Sequence, residues 1–184
     1  VNFCNSINGV SINNEQAKIL ANYLNQIGKL MYYPKSKFKD KIYINKKWVI
    51  DKIYKILQGL YDKGGEFDDE YLDYVFNKSL SKNEKSSIIN LMLEFNIIFK
   101  HPYNKLYIAP LYLPEKPNKL VNLFISENIL PYRRFLYKGF IFKNVILNFF
   151  QEYGKYVLVF NSKDKDYYYY WRDGLILKDP SSGE

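Results

Sequence analysis

The side chains that most often carry out chemistry are rare in this chain of 184 residues. His101 is the one histidine and Cys4 is the one cysteine. A zinc site draws on several such ligands, and a catalytic triad needs a histidine between a nucleophile and a carboxylate. Because nothing suggests such partners for His101, the sequence predicts no catalytic residue, no metal site and no cofactor. We expect a structural or solvated role for His101.

Two other clusters resemble binding sites only in composition. Gly64 and Gly65 lack the G-x-x-x-x-G-K-[ST] spacing whose backbone amides surround a phosphate. Asp68, Asp69 and Glu70 could hold a cation, but at the start of a predicted helix they already offset the helix dipole. We therefore expect neither nucleotide binding through a P-loop nor a metal ion here.

Composition indicates a folded chain, because 47% of its residues are hydrophobic and 18% are aromatic. No apolar run approaches the roughly 18 residues of a membrane span, and the N-terminus lacks a signal-peptide pattern. A lone cysteine excludes an internal disulfide and fits a reducing compartment, so we expect a cytoplasmic protein. The first residue is not methionine, which predicts a fragment of a longer protein.

The net charge of +8 is spread unevenly along the chain. The segment through Leu60 has a net charge of +7, the segment from Tyr61 to Asn118 has −2, and the remainder has +3. Only three of the 27 basic residues are arginines. An AT-rich genome would favour lysine over arginine in this way, so we interpret much of the charge as codon bias on a solvated surface. One local cluster could attract an acidic partner: Lys35, Lys37, Lys39 and Lys41.

The elements that would position any site begin with a helix, a hairpin and a second helix. Ser11 to Gly28 reads as a helix that Asn13 or Ser11 caps and Gly28 ends. Its apolar residues recur at helical spacing: Ala17, Leu20, Ala21, Leu24 and Ile27. Leu30–Tyr33 and Ile42–Ile44 read as paired strands. The second helix has one apolar face: Trp48, Ile53, Ile56, Leu57 and Leu60.

The middle of the chain reads as a winged-helix-like unit. Asp68 and Asp69 can start one helix, and Ser81 with Glu84 forms a capping box before another. Ile97–Phe99 and Leu106–Ile108 then form a hairpin in the place of a wing. Three prolines follow and predict a linker: Pro110, Pro114 and Pro117.

The last third reads as a smaller β-rich part with one main helix, Phe140–Phe150. Its predicted strands are Leu120–Ile125, Tyr132–Phe135, Tyr156–Phe160, Tyr167–Trp171 and Leu175–Leu177. We therefore predict an α+β fold with two subdomains, residues 1–115 and residues 118–184.

Winged helices often bind DNA, which makes a nucleic-acid-binding domain the alternative function. The candidate recognition helix offers Lys82, Lys85, Asn83 and Asn90, but its segment is net acidic. Phosphate contacts dominate affinity for duplexes, and most of the positive charge lies in the preceding layer. We expect nucleic acid not to be a partner.

Four motifs in order resemble the COR domain, which follows the Ras-like GTPase domain in Roco proteins. L-N-Q-I-G-K-L-M-Y-Y-P and D-K-I-Y-I-N-K-K-W-V are similar to the family's first glycine-containing and tryptophan-containing segments, with Lys46 where many members have proline. L-M-L-E-F-N-I-I-F followed by L-Y-I-A-P-L-Y-L-P resembles its helix and wing. L-Y-K-G-F-I-F-K-N-V-I is a weaker match, with Lys138 in place of proline, and Y-Y-W-R-D-G-L-I-L resembles its "tryptophan-arginine-x-glycine" strand.

The resemblance implies a non-catalytic module with two subdomains. The first would contact an upstream GTPase domain of the same polypeptide, and the second, β-rich one would support a homodimer. We assign the GTPase-facing surface to Ile42, Tyr43, Ile44, Trp48 and Tyr54, whose alternative role is to fill the core of the first layer. A neighbour of a GTPase must offer contacts that differ between nucleotide states.

Aromatic residues in the last third suggest self-association, because tyrosine and tryptophan are enriched at interfaces. Alternation along the predicted strand Tyr167–Trp171 puts Tyr168 and Tyr170 on one face and Tyr167, Tyr169 and Trp171 on the other. We assign self-association to Tyr168, Tyr170 and Trp171, with packing inside the same subdomain as the alternative.

Overall fold

A computed structural model describes residues 12–35, 41–101, 103–128, 138, 144–161 and 166–178. Several predictions lie outside these residues: the strand Tyr132–Phe135, the start of the helix Phe140–Phe150, Lys37 and Lys39. The chain divides into two compact units, Val1–Ile53 and Tyr54–Glu184.

The first unit contains helix α1 (Asn14–Gln26), strands β1 (Met31–Tyr32) and β2 (Ile42–Tyr43), and most of helix α2 (Lys46–Gln58). The predicted capping of α1 is confirmed: the backbone N–H of Gln16 donates to Asn13 Oδ1, and the N–H of Asn13 donates to Gln16 Oε1, both at 2.9 Å. Gly28 ends α1 with a φ of 73°, a left-handed conformation that favours glycine.

The core of the first unit lies between α1 and the hairpin. Ala21, Leu30 and Tyr32 are buried together, and Leu24 packs against them. The predicted hairpin is confirmed, because β1 and β2 pair antiparallel with Met31 opposite Tyr43. Three other apolar residues were predicted from spacing: Ala17 is half-buried, and Leu20 and Ile27 are exposed.

Helix α2 begins at Lys46, two residues before Trp48, the first apolar residue of the predicted second helix. Asn45 Oδ1 accepts the backbone N–H of Trp48 at 2.9 Å, so Lys46 is the first helical residue, a position at which proline is common. Ile56 and Leu60 of the predicted apolar face are each buried, and so is Val49, whereas Trp48 is half-buried.

The second unit begins with strand β3 (Glu66–Phe67), helix α3 (Asp69–Phe76), helix α4 (Lys82–Glu94) and the hairpin of β4 (Phe99–Lys100) and β5 (Tyr107–Ile108). Strand β5 lies between β3 and β4 in an antiparallel sheet. Asp68 caps α3 and a Ser81–Glu84 capping box starts α4, as predicted. The elements follow the predicted order, and the winged-helix detail stays a prediction.

One predicted strand is wrong. Residues Lys119–Asn128 form helix α5 where the strand Leu120–Ile125 was expected. Asn118 decides the conformation, because its Oδ1 accepts the N–H of Val121 at 2.9 Å and its carbonyl accepts the N–H of Asn122 at 3.0 Å. A short apolar run fits a buried strand and a helix equally well, and the cap selects the helix.

The remaining elements are helix α6 (Asn144–Tyr153) and strands β6 (Val159–Asn161), β7 (Asp166–Tyr168), β8 (Tyr170–Trp171) and β9 (Gly174–Leu175). Helix α6 confirms the predicted main helix. The predicted continuous strand Tyr167–Trp171 is wrong in one respect: it is interrupted at the buried Tyr169, so β7 pairs with β6 and β8 pairs with β9.

One hydrophobic core joins the hairpin to the elements that follow the proline-containing segment. Phe99 and Ile108 are buried with Leu113 and Phe150, and the rings of Phe99 and Phe150 lie 5.4 Å apart. A side chain at Gly154 would approach the Phe99 ring to 3.1 Å. The chain is an α+β protein, and this core includes residues from both sides of the predicted boundary at 115–118.

Candidate interaction surfaces

The predicted GTPase-facing residues differ in exposure. Ile42 and Ile44 are 49% and 79% exposed, and Tyr54, the first residue of the second unit, is also exposed. Tyr43 is half-buried, and burial raises the pKa of its phenol, with a further contribution from Tyr33. The structure therefore places two exposed apolar side chains at β2: Ile42 in the strand and Ile44 directly after it.

Trp48 is half-buried at the start of α2, with Lys52 Nζ 5.7 Å from the centre of its ring. This is a cation–π geometry, in which the ammonium covers one face of the indole. Tyr43 carries a buried hydroxyl oxygen without a hydrogen-bond partner among the described residues. These two side chains serve packing in part, which was the alternative role.

Two of the three predicted self-association residues, Tyr168 and Tyr170, contact the β4–β5 hairpin of the same chain. Tyr168 stacks between Tyr170 (6.0 Å between ring centres, 18° between planes) and Tyr103 (6.3 Å, 16°). The rings of His101 and Tyr168 lie nearly perpendicular, with 4.1 Å between their centres. The alternation that placed Tyr168 and Tyr170 on one face is thus retained despite the interruption at Tyr169.

Tyr170 is tied to the sheet of the second unit. Its hydroxyl donates to the carboxylate of Glu66 at the start of β3. Burial, and then the charge of Glu66, raise the pKa of Tyr170, so the phenol stays a neutral donor. Tyr170, which was predicted to take part in self-association, therefore also links β8 to β3 within the chain.

The segment W-R-D-G forms a tight turn whose arginine holds the proline-containing segment. A side chain on Gly174 would lie 2.3 Å from the Trp171 ring. The backbone N–H of Arg172 donates to the Pro114 carbonyl at 2.9 Å, and its Nη1 lies 2.8 Å from Glu115 Oε1. Sequence reasoning did not assign Arg172 a partner, because Glu115 is 57 residues away.

His101 has a structural role. It is buried, and its Nδ1 accepts the backbone N–H groups of Tyr103 and Asn104 at 3.1 and 3.0 Å. Nδ1 is therefore unprotonated, and burial lowers the pKa of the imidazole. Its Nε2 is buried and without a hydrogen-bond partner in the part of the chain that the structure describes.

The clefts of the second unit hold mixed charges. The larger, of about 980 Å³, is lined by lysines and acids interspersed between α2 and α3, including Lys55, Asp62, Lys63 and Glu70. A smaller one of about 560 Å³ contains Glu66, Asn104, Tyr168 and Tyr170, whose polar groups bond to one another. Across residues 12–35, 41–101, 103–128, 144–161 and 166–178, no three histidine, cysteine, aspartate or glutamate side chains could hold a metal ion.

No helix within the described residues is long and apolar enough to cross a membrane. The model of the COR-A domain family (C-terminal of Roc) matches residues 2–113, more than half of the chain. The chain belongs to the COR-A domain family, a non-catalytic domain associated with the Roc GTPase domain of Roco proteins. A comparison with curated proteins finds no match.

Proposed function

We propose that this chain is a non-catalytic coupling module of a Roco-type protein. It would link an upstream Ras-like GTPase domain of the same polypeptide to dimerisation or downstream signalling, in the cytoplasm. The observation that carries the proposal is the family match over residues 2–113. The family match ends close to residue 115, which is the end of the proposed subdomain 1–115, and the core of Phe99 and Phe150 would join this subdomain to the proposed subdomain 118–184.

The GTPase-facing surface is best supported at Ile42 and Ile44. Both side chains are exposed and adjacent on one short strand and the residue after it, where burying each would contribute about 2 kcal/mol to association. Trp48, Tyr43 and Tyr54 complete the assigned surface. Self-association through Tyr168, Tyr170 and Trp171 is supported by their half-buried rings, which leave part of each surface uncovered.

The test is a titration of the separately produced GTPase domain into this chain, in its GDP-bound and GTP-bound forms. We expect Ile42→Thr with Ile44→Thr to weaken binding at least tenfold, since threonine keeps the β-branched backbone preference but loses apolar surface. Tyr61→Ser removes an aromatic residue that is about as exposed as Ile44 and lies outside the assigned surface, and it should leave affinity unchanged. Equal affinity of the double variant would remove these residues from the interface.

The alternative, duplex binding, is tested in parallel by titration with DNA at two salt concentrations. Lys85 of the candidate recognition helix is paired with Asp73, which lowers the charge available for phosphates. Tight, salt-dependent duplex binding would contradict the coupling proposal.

A further inference from the structure

Helix α1 has apolar residues around more of its circumference than the part that is buried in the core of the first unit. At about 100° per residue, Leu24, Ala17 and Ala21 form one arc, and Ala21 and Leu24 of this arc pack with Leu30 and Tyr32. A second arc follows directly and is exposed: Ile19, Leu20, Tyr23 and Ile27. Together the two arcs span about 200°, about twice the stripe of a helix with one buried face.

We call the second arc the α1 stripe. Ile19 and Tyr23 are 68% and 57% exposed, and Ile19, Tyr23 and Ile27 follow one another at four-residue intervals on one helix face. An exposed contiguous row of large apolar side chains on a folded domain marks an interaction site. The stripe contains none of the residues assigned to the GTPase-facing surface.

The positive charge around the α1 stripe indicates that its partner is acidic. The ammonium of Lys46 lies 3.3 Å from where a side chain on Gly28 would begin, at the C-terminal end of the stripe. Lys29 is exposed next to it. Residues 1–53 contain nine lysines and three acids, a net charge of +6. A surface with this charge attracts acidic partners and repels copies of itself.

The charge pattern also distinguishes a protein from a membrane. Helices that lie on membranes carry several lysines or arginines on their polar face. The polar face of α1 has Lys18 and Glu15, which cancel, together with Asn22 and Gln26. We propose that the α1 stripe docks a partner protein through a helical apolar surface flanked by carboxylates, which would meet Lys29 and Lys46.

The experiment uses the whole chain and two fluorescent synthetic helical peptides with the same leucine stripe, one flanked by glutamates and one by lysines. We expect fluorescence anisotropy to show binding of the glutamate peptide alone, weakened several-fold by Lys29→Glu. Ile19→Gln with Tyr23→Gln should weaken it at least tenfold, since glutamine keeps helix propensity while removing apolar surface.

The matched control is Val145→Gln with Phe149→Gln, which removes side chains that are 61% and 40% exposed from another helix, α6. This variant should bind the glutamate peptide within twofold of the unchanged chain. Far-UV circular dichroism should be the same for both double variants. Equal binding of the glutamate peptide by the stripe variant, or equal binding of the lysine peptide by the unchanged chain, would overturn the proposal.

Two further measurements test whether the α1 stripe binds a membrane or a second copy of this chain instead. Stripe-dependent binding to phosphatidylserine vesicles would show a membrane site, and stripe-dependent self-association in sedimentation would show a second copy. Either result overturns the proposed partner. The GTPase-domain titration with Ile42 and Ile44 changed reports a different surface, so failure of one proposal is distinguishable from failure of the other.

Discussion

At the scale of single residues, we expect His101 to make the stability of this protein depend on pH. Its Nδ1 accepts two backbone N–H groups, so a proton there would face two donors. The folded state has a lowered pKa, and the unfolded state therefore binds more protons below about pH 6.5. The unfolding free energy is unaffected above that pH and falls as the pH decreases towards the folded pKa.

We predict that chemical denaturation shows a loss of stability between pH 7 and pH 5 that His101→Asn largely removes. Asparagine can accept the same backbone N–H groups through its carbonyl oxygen but does not titrate. At pH 7 the variant should be about 1–2 kcal/mol less stable, because it loses ring packing. An unchanged pH dependence in the variant would assign the effect to other groups.

Tyr170 gives a second residue-scale prediction. Tyr170→Phe removes the donor to the Glu66 carboxylate, and a hydrogen bond to a charged group contributes about 1.5–3 kcal/mol to stability. We therefore expect a loss of about 1–2 kcal/mol in urea denaturation, since the pair is partly buried. Tyr168→Phe, which loses an exposed hydrogen bond from Asn104, is the control and should change stability by less than about 0.5 kcal/mol. Equal effects of the two changes would contradict the role of Glu66.

At the scale of elements, the N-cap at Asn118 accounts for the conformation of α5. Its side chain and carbonyl both accept hydrogen bonds from the first turn. Asn118→Ala is expected to reduce the unfolding free energy by about 1 kcal/mol, whereas Asn118→Asp should retain it, because aspartate caps as well as asparagine. If thermal unfolding is unchanged by alanine, the cap does not determine α5.

At the scale of the whole molecule, the shared core predicts that the hairpin and the later elements unfold together. Phe150 is fully buried against Phe99 of β4, and Phe150→Ala should cost about 3–5 kcal/mol. Hydrogen exchange should accelerate both in α6 and at the amide of His101, which donates to Leu106 at 2.9 Å.

The neighbouring Phe149, which is partly exposed, is the control: Phe149→Ala should have a small effect on both regions. Acceleration confined to α6 in the Phe150 variant would indicate that residues 118–184 open independently of the hairpin. That outcome would favour the predicted subdomain boundary at 115–118.

The local features of this protein could be predicted from short patterns of residues. Caps at Asn13, Asp68 and Ser81 and the left-handed Gly28 depend on hydrogen bonds that span three to five residues, so residue types at short spacing are sufficient to predict them. The family resemblance was also readable from short motifs in order, and the family match confirms it.

Which apolar and aromatic side chains are covered depends on contacts between residues that are far apart in the sequence. Tyr170 contacts Glu66, 104 residues earlier, and Tyr168 contacts Asn104, so no local pattern separates packed tyrosines from free ones. The exposed side of α1 is apolar by sequence in the same way as its buried side, and their difference arises from where the hairpin lies. Periodicity reports which side chains share a face, and burial depends on what the folded chain places against that face.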